Sequence, residues 1–243
     1  MNKREILSEN VYKEGNIIIK PIKYSIKNVH LLLHHLYNDG LPVPQVIKVD
    51  ENFEYLEYID GEVIYHRQWS NEMLFEIANL VKLIHNSAQT FKYSDSIEWP
   101  PNYLRELGDL KICSHGDITP WNIVTKGNKI AGLIDWECAG PICPIVELAR
   151  VCWVFLPSLD NNSEEFNIIR AEQIRMMIDT YGLEKFDRNK FFDTMIDTII
   201  YDTKNAVRNV THDTVGKLWG IAWRNKNLCW MWQNKRLIKR ILK

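Results

Sequence analysis

The stretch that most constrains this 243-residue chain is His115-Gly116-Asp117-Ile118-Thr119-Pro120-Trp121-Asn122. It is followed by the apolar run Ile130-Ala131-Gly132-Leu133-Ile134, which ends in Asp135-Trp136. Asp117 and Asn122 stand five residues apart, and the second carboxylate, Asp135, arrives thirteen residues later at the end of a β-prone segment. Phosphoryl transfer from a nucleotide asks for this set. One carboxylate faces the attacking hydroxyl, while an amide oxygen and a second carboxylate hold the metal on the phosphates. Taken singly, Asp117 reads as a turn residue before Pro120 and Asn122 as a cap. Their spacing, with Asp135, is what gives them meaning together.

The rest of the composition narrows the class without identifying a substrate. An apolar fraction of 46% and a charged fraction of 25% are those of an ordinary globular protein, large enough to bury a sizeable core. Residues 1–9 are charged and lack the apolar centre of a signal peptide, and no run approaches bilayer length. Five cysteines, odd in number and without metal-ligand spacing, point to a reduced cytoplasmic protein rather than a disulfide or zinc scaffold. The chain's net charge of −1 is unevenly spread: residues 214–243 hold eight Lys/Arg and no acid, leaving about −9 on the remainder. Such a tail can be a footprint for nucleic acid or anionic lipid. The favoured reading is a terminal helix whose cations suit its own dipole.

Local patterns predict a β-rich beginning and a helical remainder. A hairpin is expected over residues 9–20, with Glu14-Gly15-Asn16 as its turn and Pro21 ending the second strand. Ser25 is a candidate cap for a helix over residues 26–38, with Val29, Leu32, Leu33 and Leu36 on one face and Asp39-Gly40 at its end. Further strands are expected at 45–49 and 53–59. Helical periods follow at 71–87, 145–155, 163–181 (capped by Ser163 and closed by Gly182), 188–210 and 214–241. The expected organisation is a small β-rich lobe over residues 1–59 joined to a helical lobe over residues 60–243.

Two lobes, a strand-end lysine, the interlobe Leu56-Glu57-Tyr58-Ile59-Asp60-Gly61-Glu62 and the 115–135 block together resemble the aminoglycoside phosphotransferase and choline kinase branch of the protein-kinase-like fold. The resemblance implies an α+β, two-lobe fold, with a small β-rich N-lobe carrying one helix and a larger, mainly helical C-lobe. It implies transfer of the γ-phosphate of ATP or GTP to a hydroxyl of a small molecule with Mg2+. Asp117 would then be the catalytic base, and Asn122 and Asp135 the metal ligands, offering the hard oxygens magnesium prefers. Lys20 would contact the α and β phosphates, with Lys23 as fallback, and the backbones of Glu57 and Ile59 would meet the base. His115 is expected to fix the loop rather than carry protons.

Three departures from the family pattern stand out. The N-lobe reads as shortened, with two strands before its helix and Glu14-Gly15-Asn16 in place of a glycine-rich phosphate loop. The helix over 26–38 offers His30, His34 and His35 but no glutamate to hold the lysine. Glu147 stands where the family carries the aspartate of Asp-Leu-Ala, and is expected to act as a structural anchor. These departures motivate the alternative of a nucleotide-binding regulatory protein of the same fold. For the acceptor, residues 135–213 hold fourteen acidic against eight basic residues, and Asp193 and Asp197 share a helical face. That suits a cationic acceptor, aminoglycoside-like or an amino alcohol, although an exposed acidic face is the plainer reading. Trp219, Trp223, Trp230 and Trp232 could wall a quaternary amine, but core packing of the last helix is favoured. No membrane partner is expected, and nucleic acid is the less favoured partner.

Overall fold

Ile17-Ile18-Ile19 is an apolar, β-branched run, and it forms the middle strand of the N-terminal sheet in the computed structural model. That model describes residues 4–8, 10–23, 25–63, 69–93, 98–156, 163–209 and 215–243. Strands β1 (Glu5–Ser8), β2 (Val11–Glu14), β3 (Ile17–Pro21), β4 (Val46–Val49) and β5 (Phe53–Glu57) pair antiparallel in the order β1-β2-β3-β5-β4. Three strands, not two, therefore precede the first helix. Glu5-Ile6-Leu7-Ser8 escapes a sequence reading because it is short and exposed throughout, an edge strand with no buried face to impose alternation. In β5 the alternation is clear: Glu54 and Leu56 point inward while their neighbours are half-buried.

Helix α1 (Lys27–Asn38) buries Val29, Leu32, Leu33 and Leu36, the face its sequence period predicts. Its cap is Ile26 and makes no side-chain bond, so Ser25 does not play that part. Gly40, at φ +77°, closes the helix, and the Leu41 amide donates to the Leu36 carbonyl at 3.0 Å. A second sheet orders β6 (Glu62–Val63), β8 (Ile123–Lys126) and β9 (Lys129–Leu133) as β6-β8-β9, and β7 (Ile112–Ser114) pairs with β10 (Gly140–Ile142). The remaining helices are α2 (Asn71–Ala88), α3 (Pro144–Val154), α4 (Glu164–Tyr181), α5 (Lys185–Arg208), α6 (Val215–Gln233) and α7 (Lys235–Ile241).

Contacts group the chain into two compact units, Met1–Tyr65 with Leu83–Asn102 and Ile112–Pro141, and His66–Lys82 with Tyr103–Lys111 and Ile142–Lys243. The 115–135 block belongs to the first. The second is helical, with a core of Trp153, Phe155, Ile174, Met177, Phe191 and Met195, all under 1% exposed. Within it Ser163 caps α4 by accepting from the Phe166 amide, and Gly182 ends it at φ +84°. The expected helix over 214–241 is two helices, broken at Asn234, whose side-chain amide donates to the Trp230 carbonyl at 3.0 Å. Thr214 and Val210, the expected bounds there, lie outside the described residues. No helix among the described residues is long and apolar enough to cross a membrane.

Candidate active site

The site is built by the β8–β9 hairpin. Ile123 lies opposite Leu133, and the Ile134 amide donates to the Asn122 carbonyl at 2.9 Å. Asn122, just before β8, is thereby fixed beside the segment that delivers Asp135, just after β9. The Asn122 side-chain amide donates to the Asp117 carbonyl at 2.9 Å and to Asp117 Oδ2 at 3.2 Å, so two of the three block residues are in direct contact. Asp135 takes a left-handed backbone, φ +67° and ψ +65°, a conformation non-glycine residues adopt rarely and mostly where surrounding structure holds them.

His115 is wholly buried and holds the loop from inside. Its Nε2–H donates to the Ile134 carbonyl at 2.9 Å, and its Nδ1 accepts from the Asp117 amide at 3.1 Å. Those two bonds specify the neutral Nε2–H tautomer. Trp136 stacks edge-on against the imidazole at 4.6 Å and donates through Nε1 to the Leu133 carbonyl. Gly116 sits at φ +75°, and a Cβ there would collide with the Asn102 side-chain amide and the Cys138 carbonyl. Asn102 donates to the Gly116 carbonyl at 3.2 Å and to the Cys138 carbonyl at 2.9 Å, tying the loop to the turn after Asp135. No spacing rule singles out this residue, which lies thirteen residues before His115 in an irregular segment.

Lys20, on β3, reaches the same place. Its Nζ lies 2.8 Å from Asp135 Oδ1 and 2.9 Å from Glu137 Oε1, with its side chain 11% exposed. Burial alone would lower the lysine's pKa, but the Asp135 and Glu137 carboxylates outweigh it and push it up to about 12. Burial likewise works to raise Asp135, yet Lys20 holds its carboxyl below the ordinary range. The fallback, Lys23, meets Glu137 Oε2 at 3.7 Å. Sequence reasoning missed Glu137; its signal was only its place two residues beyond Asp135.

Lys20, Glu57, Ile59, Asn122, Asp135 and Glu137 all line one cavity of ≈ 540 Å³, within the usual range for a small-molecule site. Ile18 and Leu56 from the N-terminal sheet, and Val124 and Ile134 from the hairpin, give it apolar walls. Ser8 and Val11, flanking the β1–β2 turn, also line it. The β2–β3 turn at Gly15-Asn16 is instead bonded to the Tyr58 amide through the Asn16 carbonyl.

The residues considered for an acceptor are more dispersed. Asp193 is held by Lys239 Nζ at 2.9 and 3.1 Å, while burial and then Asp193 itself raise Asp197. Arg224 pairs with Asp202 at 3.1 Å, so two of the C-terminal cations are held by carboxylates of helix α5. Trp230 is buried, donating to Asn167 Oδ1 at 2.6 Å beneath the Arg170 guanidinium, and Trp223 packs on Trp153. Trp219 and Trp232 are 73% and 61% exposed, so neither packs in the core. Glu147, in the first turn of α3, is buried; burial and its carboxylate push the Tyr181 phenol up to about 12. None of the five cysteines is bridged in a disulfide, and no cluster of three or more His, Cys, Asp or Glu among the described residues could hold a metal.

Residues 98–173, which include the whole block, match the model of the phosphotransferase enzyme family. The trifolitoxin immunity protein of Rhizobium leguminosarum bv. trifolii is 29% identical over 246 residues, covering 96% of this chain and 94% of that protein. Among solved structures, the amicoumacin kinase hAmiN in complex with AMP-PNP, Ca2+ and Ami aligns with a TM-score of 0.72 at 11% identity, over 93% of this chain and 88% of that one. A choline/ethanolamine kinase family protein from Mesorhizobium loti aligns at 0.64 and 15% identity, over 99% and 91%. The ADP-bound aminoglycoside phosphotransferase APH(2'')-Ib aligns at 0.59 and 14%, over 95% and 92%. The chain thus shares the fold of these phosphotransferase and kinase structures, and its site lies in the segment that matches the phosphotransferase enzyme family.

Proposed function

We propose that this protein is a small-molecule kinase that moves the γ-phosphate of ATP or GTP to a hydroxyl, with Asp117 as base. The observation that carries the reading is the continuity of four residues: Lys20, Asn122 and Asp135 line one cavity, and Asp117 is bonded to Asn122. Asn122 is bonded to Asp117, Asp135 follows the strand paired beside Asn122, and Lys20 is ion-paired to Asp135. The nucleotide would lie with its base near Glu57 and Ile59, between the apolar walls, and its phosphates toward Lys20. The bound AMP-PNP and ADP named for two of the similar structures support a nucleotide donor.

Magnesium fits the residues present. The Asn122 nitrogen is occupied by Asp117, which turns its oxygen to other use, and the Lys20 ammonium at 2.8 Å marks Asp135 as a seat for positive charge. Asn122 and Asp135 would hold the ion, with phosphate oxygens and water supplying the remaining ligands; it would neutralise the charge that develops on the transferred group. The chain's own part is positioning. Asn122 orients the Asp117 carboxylate, which accepts the proton of the acceptor hydroxyl, and His115 keeps the loop rigid while this happens. Lys20 supplies a fixed cation for the phosphates.

The acceptor would be a hydroxyl-bearing antibiotic or toxin. The immunity role in the name of the 29% relative, and the amicoumacin in that of the similar kinase, support this class over a metabolic amino alcohol. Unbridged cysteines and a nucleotide donor suit the cytoplasm. The test is phosphate transfer from labelled ATP and GTP to a panel of hydroxyl-bearing antibiotics and peptides. Asp117→Asn should lower turnover at least about 100-fold with nucleotide affinity retained. Equal turnover in the two proteins would remove Asp117 from the chemistry.

A further inference from the structure

Helix α1 carries no acidic residue along its length, so it has no carboxylate of its own to hold Lys20. What it has is His30, whose Nε2–H donates to Glu54 Oε2 at 2.7 Å. Glu54 is on β5, directly opposite Lys20 of β3 in the strand register, so the two side chains leave the same face of the sheet. Both line a small cavity of ≈ 20 Å³, room for about one water, whose wall also includes Glu137. A carboxylate that is only 7% exposed needs a reason to be there, and burial of this kind normally requires charge-bearing partners.

Lys20 has two carboxylates of its own, Asp135 and Glu137. If Asp135 is taken up by a metal ion and Lys20 turns to phosphate, as the proposed function requires, the lysine loses its nearest anchor at the moment it must be most rigid. We infer that Glu54, held by His30, is the group that then positions Lys20. The helix reaches the lysine in two steps, His30 to Glu54 and Glu54 to Lys20, with the carboxylate placed on the strand and the helix supplying its support. Glu54 and His30 touch neither phosphate nor acceptor; they are positioning residues that act through Lys20. This rests on the kinase reading above, and the following measurement separates the two.

Binding of ADP with Mg2+ and of adenosine, which has no phosphates, is measured by calorimetry for wild type, Glu54→Gln, His30→Gln and Lys20→Ala. The expected result is a loss of at least about 10-fold in ADP affinity in Glu54→Gln, a smaller loss in His30→Gln, and adenosine affinity unchanged in both. Adding His30→Glu to Glu54→Gln should restore much of the loss, because the carboxylate then comes from the helix. If Lys20→Ala weakens ADP but Glu54→Gln and His30→Gln do not, the inference is overturned and the nucleotide site stands. Equal weakening of ADP and adenosine would reduce the pair to a structural role, which also overturns it. If wild type binds neither ligand, or Lys20→Ala leaves ADP affinity untouched, the kinase reading itself fails and takes the inference with it. Should Glu54→Gln not fold, His30→Gln carries the same comparison alone.

Discussion

A lysine between two carboxylates stabilises the fold only while all three charges persist. Lys20, raised to about 12, contributes stability that is fully present below its ordinary value of 10.5 and lost as pH climbs through about 12. Asp135, lowered, contributes stability that is present above its ordinary 3.8 and lost as pH falls through its folded value. The pair therefore acts across the neutral range and fails first in acid. Asp135 is 47% exposed and screened by water, so Lys20→Met should cost only about 1 kcal/mol at pH 7. Urea unfolding should show that deficit shrinking toward zero as the pH is taken below the ordinary carboxylate range. A deficit independent of pH would mean that Lys20 contributes through packing of its stem. At Gly116 the demand is steric. A positive φ and two backbone-tethered neighbours leave no room for a methyl group, so Gly116→Ala should cost about 2 kcal/mol or more, read as a drop in Tm.

Among the elements, α4 has the clearest single support, the Ser163 hydroxyl accepting from the Phe166 amide at 3.2 Å. Ser163→Ala should cost about 1 kcal/mol in thermal or urea unfolding, and Ser163→Asp should cost little, since a carboxylate serves the same end of a helix. This cap was legible in sequence because capping is a local rule. The same holds for the α1 face, the Gly182 stop and the block spacing that brought Asn122, Asp117 and Asp135 together. What sequence left hidden depends on distant partners. β1 has no buried face, so no alternation marks it. Glu137 and Asn102 matter through contacts to Lys20 and to Gly116 that no local pattern encodes. The exposure of Trp219 and Trp232 runs against the usual expectation for tryptophan, and helix periodicity alone could not distinguish their face from that of Trp230.

At the scale of the molecule, every residue that lines the nucleotide-sized cavity belongs to the unit holding the N-terminal sheet and the 112–141 segment. A ligand that binds only the native form stabilises it by an amount set by its concentration over Kd, about 2.7 kcal/mol at one hundred times Kd. That free energy acts first on the elements that make the site. Hydrogen exchange with saturating ADP and Mg2+ should accordingly slow amides of β3, β5, β8 and β9 by roughly 100-fold where they exchange through opening of that unit. Amides in the core of α4 and α5, which exchange through opening of the helical unit, should gain much less. A uniform gain over both sets would mean the two units open as one, and the ligand would then protect helices it never touches. A gain confined to the helices would be incompatible with a nucleotide in this cavity, because none of its lining residues lies there.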